Sequence, residues 1–522
     1  MNEPLSQPPE LPGLATESHA PPRPKVAGPT RPRVKPVDRS QMVWRAVDVE
    51  RLVEEDHPVR AIWALTGELE LKGFYTLIEA VEGVAGRTPW DPRLLVSLWV
   101  YAYSRGLSSA REIARRCAFD PAFQWLCGME PINHHTLSDF RVAHGAALQE
   151  LFVELLGVLS AEGLVSLERV MHDGTKIKAC ASADTFRREG TLRAHLETAR
   201  QQVEALAREA NEEPTRQQAA QQRAARQRQQ RVEQALRELE QIRQTKDEAK
   251  EKEAVRVSRS DPEARVMKQP DGGYAPSYNV QLSTEASHKI IVGVGVSQNS
   301  SDGGQLMKGV DRVRENLQVR PTQVVADGGF TSRQTIIAMA EQGIDFIGSL
   351  GDQQAKGAGN LKRSGVDREF GAQAFCYDAL ADTYRCPAGQ TLSRVTQDER
   401  RPGVVQYQYR APQGVCQNCR FQAQCCPQAQ PRGRSVSRLV DAPEVQRFRE
   451  KMQTPQAQEI YRQRAPVAEF PNAWIKDKLG LRQFRLRGLV KVGVEALWAC
   501  LTYNIQQWIR LCWRPSLAGA PN

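Results

Sequence analysis

Apolar positions recur every three to four residues from about 40 to 165, and every second residue in several runs after that, so helices are expected first and strands later. In 91–106, Leu94, Leu95, Leu98, Trp99 and Ala102 share one face; Asp91-Pro92 supplies a cap and a first-turn proline, and Gly106 ends the run. Ser109 followed by Glu112 reads as a capping box for a second helix, and further helices are expected after Asp120-Pro121 and Thr136. Arg111, Arg115, Arg116 and Arg141 are expected to be exposed on these short helices, which suits a helix-turn-helix reader of DNA and equally a plain bundle. His134, His135 and His144 have no partner at ligand spacing and read as surface or core histidines.

From Val165 the period shortens. A strand entering through Val170 and Met171 delivers Asp173, followed by Gly174 and by Lys176 and Lys178 on a common face. The lysines suit simple charge pairs or contacts to a phosphate backbone beside an acid. Residues 186–255 return to helical spacing at Leu192, Leu196, Ala199 and Val203, then at Val232, Leu236, Leu239 and Ile242. An interruption around Asn211 to Pro214 makes this a helical hairpin inserted into a larger domain, either structural or a DNA-facing arm. Strands resume over Tyr278–Leu282 and Lys289–Val296, then a helix near Gly304–Asn316, a strand Val324–Ala326, a helix Ser332–Gln342 and a strand Asp345–Ile347. The order predicts a mixed sheet with helices on its faces. Val324–Ala326 carries Asp327 to its C-terminal end, where Gly328 and Gly329 let the backbone turn and leave space beside the carboxylate. That aspartate either caps the next helix or faces a metal or phosphate. If its strand neighbours the Asp173 strand, the two carboxylates meet at one sheet edge.

Composition adds a partner. The formal charge of +10 and the pI near 9.1 favour a polyanion, nucleic acid first, although 61 acidic residues make the surface mixed. Ten of the 31 prolines fall in residues 1–38, so 1–39 is expected to be a basic Pro-rich arm, either touching DNA or simply solvated. No apolar run is long enough to span a bilayer and no secretory leader is evident, so no membrane partner is expected. Five of the eleven cysteines lie between Cys386 and Cys426, in a segment 351–450 that reads as an insertion. Cys386, Cys416, Cys419 and Cys425 are the natural four ligands for Zn²⁺ in a zinc ribbon, with Cys426 spare; the other reading is a loop domain with free thiols. The last segment places Glu469 among cations, with Tyr461 and Arg464 before it and Lys476 and Arg487 after it. On a continuous helix Glu469 and Lys476 share a face, although Pro466 and Pro471 argue against continuity.

Three acids brought together repel unless cations neutralise them, and carboxylate oxygens suit Mg²⁺ or Mn²⁺. Residue chemistry therefore points to metal-dependent phosphoryl transfer on nucleic acid. The stretches Asp173-Gly174-Thr175-Lys176 and Val325-Ala326-Asp327-Gly328-Gly329-Phe330, and the block Tyr461, Arg464, Glu469, Lys476, resemble in order and context a DDE transposase of a bacterial insertion sequence. Gly86-Arg87-Thr88-Pro89 and Leu137-Ser138-Asp139-Phe140-Arg141 resemble the N-terminal domain of the same family. The resemblance covers about 40–505. It implies an α/β catalytic core of RNase H-like fold over 166–350 and 451–510, with the helical insertion, after an all-α helix-turn-helix-like domain at 40–165. It further implies Asp173, Asp327 and Glu469 as catalytic metal ligands for Mg²⁺ or Mn²⁺, and Lys176, Lys178, Tyr461, Arg464, Lys476 and Arg487 as DNA contacts. The partner it implies is double-stranded DNA, element ends and target, expected to be bound by a homo-oligomer in a bacterial cytoplasm at the nucleoid. The expected reaction is cleavage at element ends followed by strand transfer; a metal-dependent nuclease without strand transfer and an inactive DNA-binding repressor are the alternatives.

Overall fold

Helices form where the sequence caps them. In this computed structural model, Asp91 accepts a hydrogen bond from the Arg93 amide at 2.8 Å and starts Pro92–Ser104, while Asp120 accepts from Ala122 at 3.1 Å and starts Pro121–Leu126. The structure describes residues 39–514 apart from 41, 43, 45, 77, 79–87, 209–214, 352–364, 402–403 and 428–432. All but the last residue of the expected N-terminal arm, the Gly86-Arg87 motif and the Asn211–Pro214 break lie outside that set. Met1–Val47 and Asp48–Asn522 are separate units, and the described helices and strands all belong to the second.

Two local expectations fail. Ser109 is the N-cap of Ala110–Arg116 but makes no side-chain cap bond, and the Glu112 carboxylate pairs instead with Arg115 at 2.7 Å and Arg116 at 3.0 Å. Arg141 is only 5% exposed: its guanidinium lies 4.7 Å from the Trp99 ring and donates to the Ser108 carbonyl at 2.7 Å. A planar cation can be buried where an indole face and a carbonyl replace its water, so a charged residue on a helix was a poor guide to the surface.

Helices Pro58–Glu68, Pro92–Ser104 and Gly145–Ala161 share one apolar core with the sheet and with the long helix Leu489–Leu511. Trp99 and Trp498, both fully buried, sit with ring centroids 6.4 Å apart at this junction. Asn504 on the long helix joins the sheet edge as a strand would. Its amide oxygen accepts from Ile291 N at 2.9 Å, and its amide nitrogen donates to Ile291 O at 2.8 Å.

The six-stranded sheet is mixed. Arg169–Lys178 lies at its centre, antiparallel to Tyr274–Glu285 on one side and parallel to Gln323–Ala326 on the other, with Asp345–Ile347 parallel beyond. Ile291–Ser297 and Arg265–Lys268 pair antiparallel with the outer edge of Tyr274–Glu285. Glu189–Arg208 and Arg216–Gln244 pack on each other as a helical pair and bury Leu192, Ala235 and Leu239. A second, antiparallel sheet of five strands, Cys376–Asp378 to Ser435–Asp441, forms its own small core around Phe375, Leu392 and Tyr409. Among the described residues no single helix is long and apolar enough to cross a membrane.

Candidate active site

Strand register brings the two aspartates together. Val170 pairs with Val324, Met171 with Val325 and His172 with Ala326 in parallel, and the next residues on the two chains are Asp173 and Asp327. Parallel strands put register partners side by side, so the acids lie at one edge, where the shorter strand ends. Asp327 is held in the turn by its own backbone: Oδ1 accepts from Gly329 N at 2.8 Å, and its carbonyl accepts from Thr331 Oγ1 at 2.9 Å. A Cβ on Gly329 would stand 3.0 Å from Asp327 Oδ1, so a larger residue there would crowd the carboxylate. Asp173 is half-buried, and burial pushes its carboxyl up to about 6, opposed by the Gly174 amide and by the charge of Arg464, and reinforced by Asp327 and Asp302.

The helix Arg464–Asp477 covers this edge. Both prolines are accommodated. Pro466 is in the first turn, where no N–H is needed, and Pro471 is interior but carried on a face that buries Val467, Ala468, Asn472 and Ile475. Glu469, Asn472 and Lys476 therefore share a side of one helix, and Asn472 touches the aspartate: its amide donates to Asp173 Oδ2 at 3.0 Å and to the Ala468 carbonyl at 3.2 Å. Lys476, half-buried, is held below its ordinary range by desolvation and by Arg482, with the Asp173 charge opposing. Glu469 itself is exposed, one turn before Asn472.

The other expected DNA contacts ring this edge unevenly. Lys176 is near enough to Lys476 to depress it further, and Lys178 is exposed, with its backbone joined to the C-terminal segment through Lys178 N to Arg482 O at 3.2 Å and Phe484 N to Lys178 O at 2.9 Å. Tyr461 packs against the small cluster of Met171, Val325 and Ile347 with the Arg464 guanidinium 6.0 Å from its ring. Arg487 is exposed and donates to the Cys180 carbonyl at 3.1 Å.

Two residues at this edge had no part in the sequence reading. Asn472 carried a signal, because it sits at helical spacing between Glu469 and Lys476. Asp302 carried none: it lies in the irregular loop before Leu306–Leu317 and is held by Asn279 Nδ2 at 2.8 Å and Gln281 Nε2 at 3.1 Å, both to Oδ1.

The cysteines gather elsewhere. Cys386, Cys416, Cys419, Cys425 and Cys426 line one cavity of about 30 Å³ in the second sheet's lobe, walled by Phe370, Phe375 and Leu392, whereas Cys376 is exposed on a strand outside it. Backbone amides point at two of the sulfurs, Gln390 N at Cys386 Sγ and Arg434 N at Cys416 Sγ, each 3.3 Å. Burial pushes the Cys425 thiol up to about 11. Among the described residues no three or more His, Cys, Asp or Glu side chains converge closely enough to form a finished metal cage, at the aspartates or here.

Comparison with known proteins fits the two ends of the chain. A family model described as Transposase DDE domain matches residues 385–509, a span that holds Tyr461, Arg464, Glu469 and Lys476, and one described as Transposase domain (DUF772) matches 47–143. No curated protein matches the sequence. A solved structure, the cryo-EM structure of a piggyBac transposase synaptic complex with hairpin DNA, aligns over 88% of this chain and 75% of that one at 10% identity and a TM-score of 0.31. One transposase domain model thus matches the N-terminal helices and another the segment that carries Glu469, a combination typical of bacterial insertion-sequence transposases.

Proposed function

We propose that this chain is a transposase that binds the ends of its element and cuts and joins DNA by metal-dependent phosphoryl transfer, with Asp173, Asp327 and Glu469 as the metal-binding acids. The observation that carries the reading is the parallel register that sets Asp173 beside Asp327 at the open end of two strands. A central strand flanked by an antiparallel neighbour and two parallel ones, with an acid on each of the two inner parallel strands, supports an RNase H-like core. The donor set fits Mg²⁺ or Mn²⁺, because it offers hard carboxylate oxygens, and Mg²⁺ binds through one or two carboxylates while keeping waters. Divalent cations bound there would stabilise charge on the attacking and leaving oxygens of an in-line displacement.

The chain's own groups do the rest. Asn472 fixes the orientation of the Asp173 carboxylate, and Lys476 and Arg464 balance its charge and offer donors to the phosphates flanking the scissile bond. Glu469 is presented from the same helix side as Asn472 and Lys476, so seating of DNA against that helix would bring it to the acids. A labelled duplex carrying an element end, incubated with the protein and Mg²⁺, tests the reading. Strand-transfer products are expected; nicking without joining would make the protein a nuclease, and binding without nicking a repressor.

DNA binding by the full chain should be strongly salt-dependent. If about six phosphates are neutralised, affinity should fall roughly 10³-fold between 50 and 200 mM salt, and removing one contacting cation such as Lys178 or Arg487 should lower the slope by about one. Affinity indifferent to salt would exclude a phosphate-tracking interface. The full chain is the right material, because the N-terminal helices share their core with Leu489–Leu511.

We also propose that Cys386, Cys416, Cys419 and Cys425 hold a structural Zn²⁺. One cavity collects all four, and amide-to-sulfur hydrogen bonds of the kind that stabilise thiolates already reach two. Purified protein should then carry about one zinc per chain, lost in the Cys416→Ser/Cys419→Ser double variant. Metal analysis that finds no zinc would remove the site and leave the aspartate centre untouched.

A further inference from the structure

We propose that Asp302 is a further carboxylate ligand of the divalent cation at the Asp173–Asp327 edge, an inference that rests on the metal-dependent reading above. Three observations meet at this residue. Asp302 stands where two glycines leave room: a Cβ on Gly174 would fall 2.4 Å from Asp302 Oδ1, and a Cβ on Gly329 would fall 3.8 Å from Asp302 Oδ2 and 3.0 Å from Asp327 Oδ1. The residues that follow the two aspartates or their turn are thus small where Asp302 reaches in, and Asp302 and Asp327 share the space beside Gly329.

The acid is also aimed by a built network. His172, fully buried, pairs through Nε2 with Gln281 Oε1 at 3.1 Å and through Nδ1 with Ser283 Oγ at 2.9 Å. With Gln281's oxygen engaged by the ring, its Nε2 is left to donate to Asp302 Oδ1, beside the amide of Asn279. Two donors on one oxygen fix the carboxylate and leave its second oxygen for another partner.

The third observation points to a ligand. Asn279 is 0% exposed and Asn472 is 8% exposed, and each spends its NH₂ on a carboxylate of this edge, Asp302 and Asp173 respectively. Each amide oxygen is buried without a hydrogen-bond donor. Asn279 Oδ1 is aimed at the same space as Asp302, 3.1 Å from the position of a Cβ on Gly174. Buried acceptors are normally satisfied, and the orphaned Asn279 oxygen beside the Asp302 carboxylate is the donor chemistry of a hydrated hard cation, which bonds to oxygen directly or through its waters. A cation there offsets the mutual repulsion of the acids and satisfies the Asn279 amide.

Mn²⁺ binding to the full chain without DNA, followed by electron paramagnetic resonance, tests this apart from catalysis. Asp302→Asn keeps an acceptor for Asn279 and Gln281, so the fold should survive, as circular dichroism will show, while Mn²⁺ affinity should fall by about ten-fold or more. Asp173→Asn should lose affinity as well, and Asp311→Asn, a half-buried acid paired with Arg314 at 3.5 Å, should bind as the wild type does. Normal binding by Asp302→Asn with loss in Asp173→Asn would overturn the role of Asp302 and keep the aspartate centre. Normal binding by both would overturn the centre itself, and this proposal with it. Cleavage of the wild-type backbone by Fe²⁺ and ascorbate gives a second measure that no variant's folding can confuse: cuts are expected near residues 173, 302 and 327, and cuts near 173 and 327 alone would count against Asp302.

Discussion

Asp173→Asn and Asp327→Asn should each abolish cleavage of element-end DNA in Mg²⁺ while leaving DNA affinity within about two-fold, because on the proposed function they remove metal ligands and not phosphate contacts. Gel-shift and nicking assays on the same preparations check both halves. Normal nicking by either variant would sink the assignment of that aspartate. Asp173→Asn has a second, signed consequence in metal-free protein. The folded pKa, about 6, lies above the ordinary 3.8, so the native state holds a proton that the unfolded chain has released, and stability is lost as pH rises from about 4 to 6. Asparagine carries no such charge and still offers an oxygen to Asn472. In EDTA above pH 6 the variant should therefore melt at or above the wild-type temperature, with the difference shrinking toward pH 4. A variant that melts well below wild type at pH 7 would mean that the aspartate is structural.

The second expected result separates three glutamates of the C-terminal segment. Glu469→Gln should eliminate cleavage with the melting temperature unchanged, since its exposed side chain holds nothing in the resting fold. Glu495→Gln should do the reverse. Glu495 is 0% exposed and accepts from Arg485 N at 3.0 and 3.1 Å and from Leu486 N at 2.9 Å, with Arg141 supplying the compensating charge. Its job is to pin the turn that precedes the long helix, and an amide there leaves a buried donor facing backbone N–H groups, for a loss of roughly 1–3 kcal/mol. Glu459, exposed and 3.0 Å from Arg462, should tolerate Gln with little change in either property. If Glu469→Gln still cuts and Glu495→Gln folds but does not, the third ligand is Glu495.

Much of the fold was legible because periodicity and punctuation agreed. The strand Asp345–Ile347 has its expected limits and the helices after Asp91 and Asp120 start at their prolines, whereas the adjacency of the two aspartate strands, left conditional by the sequence, is supplied by the sheet register. What was not legible had physical causes. Arg141 reads as a surface charge in one dimension because the Trp99 face that covers it comes from another helix. The helix through Glu469 reads as broken because propensity counts Pro471 against it, while burial of the surrounding face decides otherwise. The candidate site was visible in its acids and cations but not in its amides. Asn279, Gln281 and Asn472 act through geometry set by the sheet and by the covering helix, and an Asn or Gln in a strand or helix announces nothing by spacing.

The junction of Trp99 with Trp498 has a consequence for how the chain is made. At about 5–20 residues per second, the ribosome adds Trp498 roughly 20–80 s after Trp99, and until then the groove among the N-terminal helices has no wall. Nascent chains should therefore carry a sticky, unfinished surface through most of their synthesis, which makes them clients for chaperones. A message that terminates before residue 489 should yield aggregates or degradation products in place of a stable DNA-binding fragment.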